Sequence, residues 1–479
     1  MKTAIAPFAA LITALTLAGP APAAEPVRAK VESGVVVGQE DGNVDSYKGI
    51  PFAAPPVGPL RWQPPQKPIA WSGERAATAT GAPCMQPIRT QAPAGPGTPS
   101  EDCLFVNVFT PKGAKKVPVM VWIHGGSNVS GSGANYDGSN FARDGVMVVT
   151  INYRMGAMGF FSHPSLTKAA KADEPLSNYA LMDQIAALQW VQRNAAAFGG
   201  DPSNVTVFGE SAGAMDIVAL FGIPSVKGLF AKAIIESNIG WGTATPLAQK
   251  EVQGEAIAVK AGAPAGTTIE QLRALPAAAL TAAQTGSSTA IDGRLVKESA
   301  YQAFAANRAV DVPLIIGSNS YEASLIAGRE GGATAEAAAL FNDGSAGAPA
   351  RFIAAHEASG APSWFYYFSY VREAQRATAP GAAHASEIAF AFDTMRRGGV
   401  AAPAPEDQAI ATLMHSCWVS CAKTGKPACA SGPAWPAYTA AGDQLMEFGA
   451  PAGVRTNFRK SQLDAAEQRQ ATGGGRRGG

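Results

Sequence analysis

Two apolar, largely β-branched runs stand out along the chain, residues 117–124 (VPVMVWIH) and 146–153 (VMVVTINY). Runs without polar alternation are the pattern of strands covered on both faces, as in a largely parallel sheet. Over 180–197 the period changes: Leu181, Ile185, Leu188 and Val191 recur at helical spacing, and Phe198-Gly199-Gly200-Asp201-Pro202 stops the helix. Residues 205–208 then read as a short strand, 209–213 as a turn and 214–221 as a helix, with further strands expected at 231–235, 313–317 and 364–370. This alternation predicts an α/β fold with a doubly wound, largely parallel central sheet and helices on both faces. Ahead of it, 35–68 is broken by Gly38, Gly42, Gly49, Pro51 and Pro55-Pro56 and reads as an edge hairpin followed by a long surface loop. The Ala-rich stretches 252–290 and 331–358 are expected to be helical insertions around a pocket.

The ends depart from this alternation. Lys2 precedes an apolar run from Ala4 to Leu17 that closes on Gly19, Pro20 and Ala21-Pro22-Ala23, so 1–23 reads as a cleaved signal peptide and 24–471 as one domain. That run is shorter than the roughly 20 residues needed to cross a bilayer, and no membrane span is expected later. The segment 472–479 (TGGGRRGG) has nothing to bury and is expected to be disordered. With 38 Lys+Arg against 37 Asp+Glu, the chain lacks the basic footprint that nucleic acid or an anionic membrane demands. Its 47% hydrophobic and 16% charged positions exclude a disordered or coiled-coil protein. A periplasmic or secreted protein with a small-molecule substrate is the expectation.

Export permits disulfides, and the cysteines form two groups: Cys84 with Cys103, and Cys417, Cys421 and Cys429. A bridge between the first two would clip a Pro/Gly-rich loop and contribute about 3 kcal/mol on the chain-entropy model; two buried thiols are the alternative. Cys429 lies within reach of either Cys417 or Cys421. No cysteine and histidine set has the spacing of a closed zinc site, so no metal is expected; no cofactor is expected either.

Chemistry concentrates at Gly209-Glu210-Ser211-Ala212-Gly213, a G-x-S-x-G pattern between a strand and a helix. A serine at so sharp a turn needs glycine two positions either side, and the following helix aims its first amides at developing negative charge. A serine hydroxyl is a weak nucleophile and requires a base, itself oriented by an acid. Of the five histidines, His384 is the best candidate, on a loop after a strand late in the chain. His124, at a strand end before Gly125-Gly126-Ser127, suits the shaping of an oxyanion loop. Glu322, after the 313–317 strand, is the best placed acid, with a solvated loop glutamate as the alternative. The amides of Gly126, Ser127 and Ala212 are the candidate oxyanion donors.

These residues resemble the type-B carboxylesterase/lipase family, the branch of the α/β-hydrolases that includes the cholinesterases. Tyr47-Lys48-Gly49-Ile50-Pro51-Phe52-Ala53 with Leu60-Arg61, and Ser100-Glu101-Asp102-Cys103-Leu104, are similar to its signatures. So are Asn152-Tyr153-Arg154, Asp183-Gln184, Phe198-Gly199-Gly200-Asp201-Pro202 and Trp418. The resemblance implies ester hydrolysis with Ser211 as nucleophile, Glu322 as acid and His384 as base, with Glu387, Phe390 and Phe392 fitting around the histidine. It also implies a Cys84–Cys103 bridge and the ion pairs Arg61–Glu101 and Arg154–Asp183. An interfacial lipase and an inactive binding protein on the same fold are the rival readings; the intact Ser211, Glu322 and His384 set argues against the latter.

Three departures qualify the resemblance. The family's Gly-Gly-Gly-Phe segment is here Gly125-Gly126-Ser127-Asn128, which keeps the amides and replaces a bulky apolar side chain with a polar one. Tyr321 stands where an acidic residue is common, and Asn238 where glycine is usual. The choline-binding aromatic array is not traceable, so a cholinesterase is not expected.

Overall fold

The computed structural model describes residues 26–87, 96–241, 244–284, 286–328, 334–356, 360–395 and 402–473. The expected leader, 1–23, lies outside them. The architecture is α/β. A 13-stranded sheet runs in the spatial order Pro26–Val31, Gly34–Asp41, Val44–Pro51, Phe105–Pro111, Met147–Ile151, Val117–Ile123, Gly200–Glu210, Lys232–Glu236, Leu314–Asn319, Ser363–Phe368, Gln444–Phe448 and Gly453–Thr456, with Glu74–Ala76 pairing on Gly34–Asp41. Every pairing from Met147–Ile151 through Gln444–Phe448 is parallel. Antiparallel strands flank both sides, including the meander into which the expected edge hairpin extends.

The apolar runs become central strands because both faces of the sheet are covered, and the pleat divides each run between two cores. Val119, Val121 and Ile123 face one core with Val149, Val207, Ile235 and Ile316. Met120 and Trp122 face the other with Val148, Phe208, Ile234 and Ile315. Helix Tyr179–Asn194 lays Leu181, Leu188 and Val191 against the first core. Helix Pro405–Thr424 lays Met414 and Trp418 against the second.

Strand Phe105–Pro111 escaped the hydrophobic pattern because buried polar residues interrupt it. Asn107 accepts the Gly49 amide (3.0 Å) and donates to Thr150 Oγ1 (3.1 Å), so its polarity serves as a cross-strand tie. The Ala-rich stretches do form helices, Leu247–Lys260, Ile269–Ala274 and Ala277–Ala283 in one and Ala335–Ala339 and Ala348–Ala354 in the other. One boundary needs correction. The last helix, Lys460–Gly473, carries Thr472 and Gly473, which the sequence assigned to a disordered tail. Burial of Leu463 and Ala466 and the Arg351 ion pairs to Asp464 and Glu467 dock this helix and carry its register past the expected boundary. Residues 474–479 lie outside the described residues.

Cys84 and Cys103 are bridged, with Cα atoms 4.9 Å apart. At the other end the pairing left open by the sequence is Cys417–Cys429, and Cys421 is a buried free thiol.

Candidate active site

Ser211 sits at the carboxyl end of the central strand Gly200–Glu210 and immediately precedes helix Ala212–Phe221, with φ 55° and ψ −120°. A non-glycine residue rarely holds this conformation, and the turn lies beside the end of strand Val117–Ile123, which pairs in parallel with Gly200–Glu210 and places Ile123 opposite Gly209. A Cβ at Gly209 would stand 2.6 Å from the Ile123 carbonyl oxygen, and one at Gly213 would collide with the same atom. The Ser211 amide donates to the Glu236 carbonyl at 3.0 Å. Ala212 opens the helix, where backbone amides have no partner four residues back.

Glu322 follows strand Leu314–Asn319 and is fully buried. Its Oε1 accepts the Asn319 amide at 2.7 Å, and its Oε2 lies 2.5 Å from His384 Nδ1. The His384 loop is stitched to the same strand end: Asn319 Nδ2 donates to the Ala383 carbonyl (2.9 Å) and the His384 amide to Ser324 Oγ (2.9 Å). With Nδ1 against a carboxylate, the favoured neutral tautomer carries its proton there and leaves Nε2 with a lone pair. That Nε2 makes no hydrogen bond and lies 3.0 Å from Glu210 Oε1, so the residue before Ser211, rather than the serine hydroxyl, faces the imidazole here.

Glu210 is the site residue that sequence reasoning missed. The signal was available, because the G-x-S-x-G pattern puts residue 210 beside the nucleophile candidate. Glu236 and Glu387 are buried nearby; Glu236 accepts from Trp418 Nε1 (2.8 Å), and Glu387 accepts from Ser237 Oγ and from Asn319 Nδ2 (2.5 Å). Burial pushes the carboxyls of Glu210, Glu236 and Glu387 above the usual carboxylate range. Burial acts on His384 in the opposite sense, lowering it, but Glu210 and Glu322 outweigh that and hold the imidazole above its ordinary value.

Opposite the serine, the loop after strand Val117–Ile123 holds Gly126, Ser127 and Asn128 at φ 109°, 56° and 57°. A Cβ on Gly125 would lie 2.6 Å from Glu210 Oε2 and 3.0 Å from Ser211 Cβ, which measures how closely the loop passes the serine. His124 stacks on Tyr153 (4.5 Å between ring centroids), and burial pushes it down to about 4, so it stays neutral. The other histidines have structural partners: His163 caps helix Pro164–Ala169, His356 packs edge-on to Phe304, and His415 contacts the Ala391 carbonyl.

The Asn128 side chain turns inward. Its Nδ2 donates to Asp216 Oδ1 at 2.8 Å, and its Oδ1 lies 3.1 Å from the Tyr153 hydroxyl. A cleft of about 480 Å³, measured out to its mouth, runs past Asn128, Met215, Asp216, Trp241 and Val296. The loops around the site are braced by two bidentate ion pairs, Arg61–Glu101 (2.5 and 2.6 Å) and Arg154–Asp183 (2.7 and 2.8 Å).

The model of the carboxylesterase family matches residues 25–345 and 328–466. The chain belongs to the carboxylesterase family. A fumonisin B1 esterase of Sphingopyxis macrogoltabida is 34% identical, over 88% of this chain and 86% of its own. A para-nitrobenzyl esterase of Bacillus subtilis is 36% identical, over 85% of this chain and 91% of its own. Among solved structures, a PNB esterase superposes with a TM-score of 0.82 at 31% identity, covering 91% of this chain and 98% of that one. A carboxylesterase of Geobacillus stearothermophilus does so with a TM-score of 0.80 at 33% identity, covering 92% and 99%. This carboxylesterase is therefore an α/β-hydrolase and a carboxylic ester hydrolase. Among its described residues no helix is long and apolar enough to cross a membrane, and no cluster of His, Cys, Asp and Glu is arranged to hold a metal ion.

Proposed function

We propose that the carboxylesterase cleaves its esters through an acyl-enzyme on Ser211. His384 Nε2 turns from Glu210 to the Ser211 hydroxyl as substrate enters, and takes its proton while Oγ forms a bond to the acyl carbon. The carbonyl electron pair moves onto oxygen, where the amides of Gly126, Ser127 and Ala212 stabilise it. Collapse expels the alcohol, which receives the proton from His384. Water, deprotonated by the same imidazole, then releases the acid and regenerates Ser211. Glu322 fixes the tautomer of His384 and stabilises the imidazolium. No cofactor enters this scheme.

The observation that carries the reading is the 2.5 Å contact of Glu322 with His384 Nδ1, at the same end of the sheet as the strained Ser211 turn. The test is hydrolysis of p-nitrophenyl esters of increasing acyl length beside Ser211→Ala, with labelling of Ser211 by a fluorophosphonate. Activity and labelling confined to the Ser211 protein are expected; full esterase activity in Ser211→Ala would overturn the mechanism.

The relatives' names specify two unlike esters, which supports small-molecule esters as the substrate class without selecting one. We further propose that 1–23 is an export leader and that the following chain works as one unit in an oxidising compartment. Two intrachain disulfides support that reading, since such bridges persist outside the reducing cytosol.

A further inference from the structure

We propose that Asn128 and Asp216 form a positioning pair for the oxyanion hole, tying the loop that carries two of its amides to the helix that carries the third. The proposal rests on the assignment of the Gly126, Ser127 and Ala212 amides as oxyanion donors. Those donors belong to separate parts of the chain, and a hole that stabilises a developing charge must hold them in fixed relation. Asn128 directly follows Ser127, and Asp216 lies on helix Ala212–Phe221, one turn beyond Ala212. The 2.8 Å bond from Asn128 Nδ2 to Asp216 Oδ1 joins residues 88 apart in sequence.

Each member is held from behind. Gln184 Nε2, on helix Tyr179–Asn194, donates to Asp216 Oδ2 at 2.6 Å. The Tyr153 hydroxyl lies 3.1 Å from Asn128 Oδ1 and 2.7 Å from the His124 carbonyl. All of these side chains are buried. Ser127 and Asn128 both hold positive φ, a conformation that persists only where surroundings over-determine it, and the Asn128 side chain supplies such an anchor. An apolar pair of similar volume would fill the space without desolvating a carboxyl, so the polar pair contributes orientation rather than burial. Burial pushes Asp216 up to about 7, so its carboxyl acts here as a hydrogen-bond hub and not as a committed anion.

The test uses two substitutions of the same residue. Asp216→Ala removes the hub. Asp216→Asn keeps an oxygen for Asn128 Nδ2, and its amide can donate to Gln184 Oε1, a buried atom without a partner in the present arrangement. For a short-chain p-nitrophenyl ester, Asp216→Ala is expected to lower kcat about 10- to 100-fold while KM moves less than about threefold. Inhibition by a trifluoromethyl ketone, whose adduct places an oxyanion in the hole, is expected to weaken by a similar factor. Asp216→Asn is expected to recover kcat to within about threefold of the parent. A folded Asp216→Ala protein with parental kcat, a loss confined to KM, or an Asn variant as impaired as the Ala variant would overturn the proposal. If Asp216→Ala does not fold, Asn128→Ala, which leaves the Asp216–Gln184 bond intact, is expected to give the same fall in kcat; unchanged kcat would overturn the pair. Fluorophosphonate labelling of the parent separates the two levels: a labelled Ser211 with an unaffected Asp216→Ala protein removes the positioning pair alone, whereas an unlabelled, dispensable Ser211 removes the mechanism beneath it.

Discussion

His384 gathers its properties from three carboxylates that approach it from different stretches of chain. Glu322 meets Nδ1, Glu210 stands 3.0 Å from Nε2, and Glu387 adds to the local field from the helix-side turn. In the proposed mechanism the neutral imidazole is the active form, and carboxylates raise its pKa, so activity is expected to rise with pH as the proton leaves. Glu210→Gln removes one of the raising charges, and the acid limb of kcat/KM is expected to move to lower pH; a limb that stays put or moves upward would show that Glu210 does not act on the imidazole. Glu322→Gln keeps the shape but offers the wrong partner to Nδ1, and a fall in kcat of about 10³- to 10⁴-fold is expected in steady-state assays. His124 shows how burial alone changes a role: with a stacked tyrosine and no carboxylate at hand it is driven neutral and shapes the loop before Gly125.

Among elements, the strand-to-helix turn at Ser211 depends on two glycines because the end of the neighbouring parallel strand Val117–Ile123 brings its Ile123 carbonyl so close to it. The collision of a Gly213 Cβ with the Ile123 carbonyl is with backbone, which cannot move aside without disturbing the central sheet. Gly213→Ala is therefore expected to cost about 1–3 kcal/mol in urea unfolding and to misplace Ser211, lowering the rate of fluorophosphonate labelling. At the far end of the chain, the Cys417–Cys429 bridge fastens helix Pro405–Thr424 to the loop that follows it across a sequence separation of 12. The chain-entropy model gives such a clip about 3 kcal/mol, so Cys429→Ser is expected to lower Tm under non-reducing conditions, with the reduced parent, which loses both bridges, falling further.

For the molecule as a whole, Arg61 is a keystone of the rim. Beyond its bidentate pairing with Glu101 it donates to the carbonyls of Arg273 (3.0 Å) and Leu275 (2.5 Å), joining the N-terminal loop to a helical insertion more than 200 residues away. Its side chain is 8% exposed, and Arg61→Ala is expected to cost about 3–5 kcal/mol in denaturant unfolding; an unchanged midpoint would contradict so buried a pair. Much of this architecture was legible beforehand. Residues 117–124 and 146–153 announced covered strands because a strand's side chains alternate locally, and Leu181, Ile185, Leu188 and Val191 announced a helix for the same local reason. The G-x-S-x-G turn was readable because its steric demands fall within five residues, and Glu322 and His384 were nameable from chain order and resemblance. Packing between distant segments was not readable in that way. Asn107 hid a strand behind a polar side chain that works only when Gly49 and Thr150 arrive beside it. Cys417 and Cys421 share one helical face, and only the path of the following loop chose Cys417 for Cys429. Glu210 facing His384, and Asn128 bonded to Asp216, likewise follow from the order in which strands lie side by side. Local periodicity depends on neighbours two to four residues apart and is written in the chain itself, whereas partners 88 or 174 positions away, as in Asn128–Asp216 and Glu210–His384, exist only once the sheet has set their loops at the same edge.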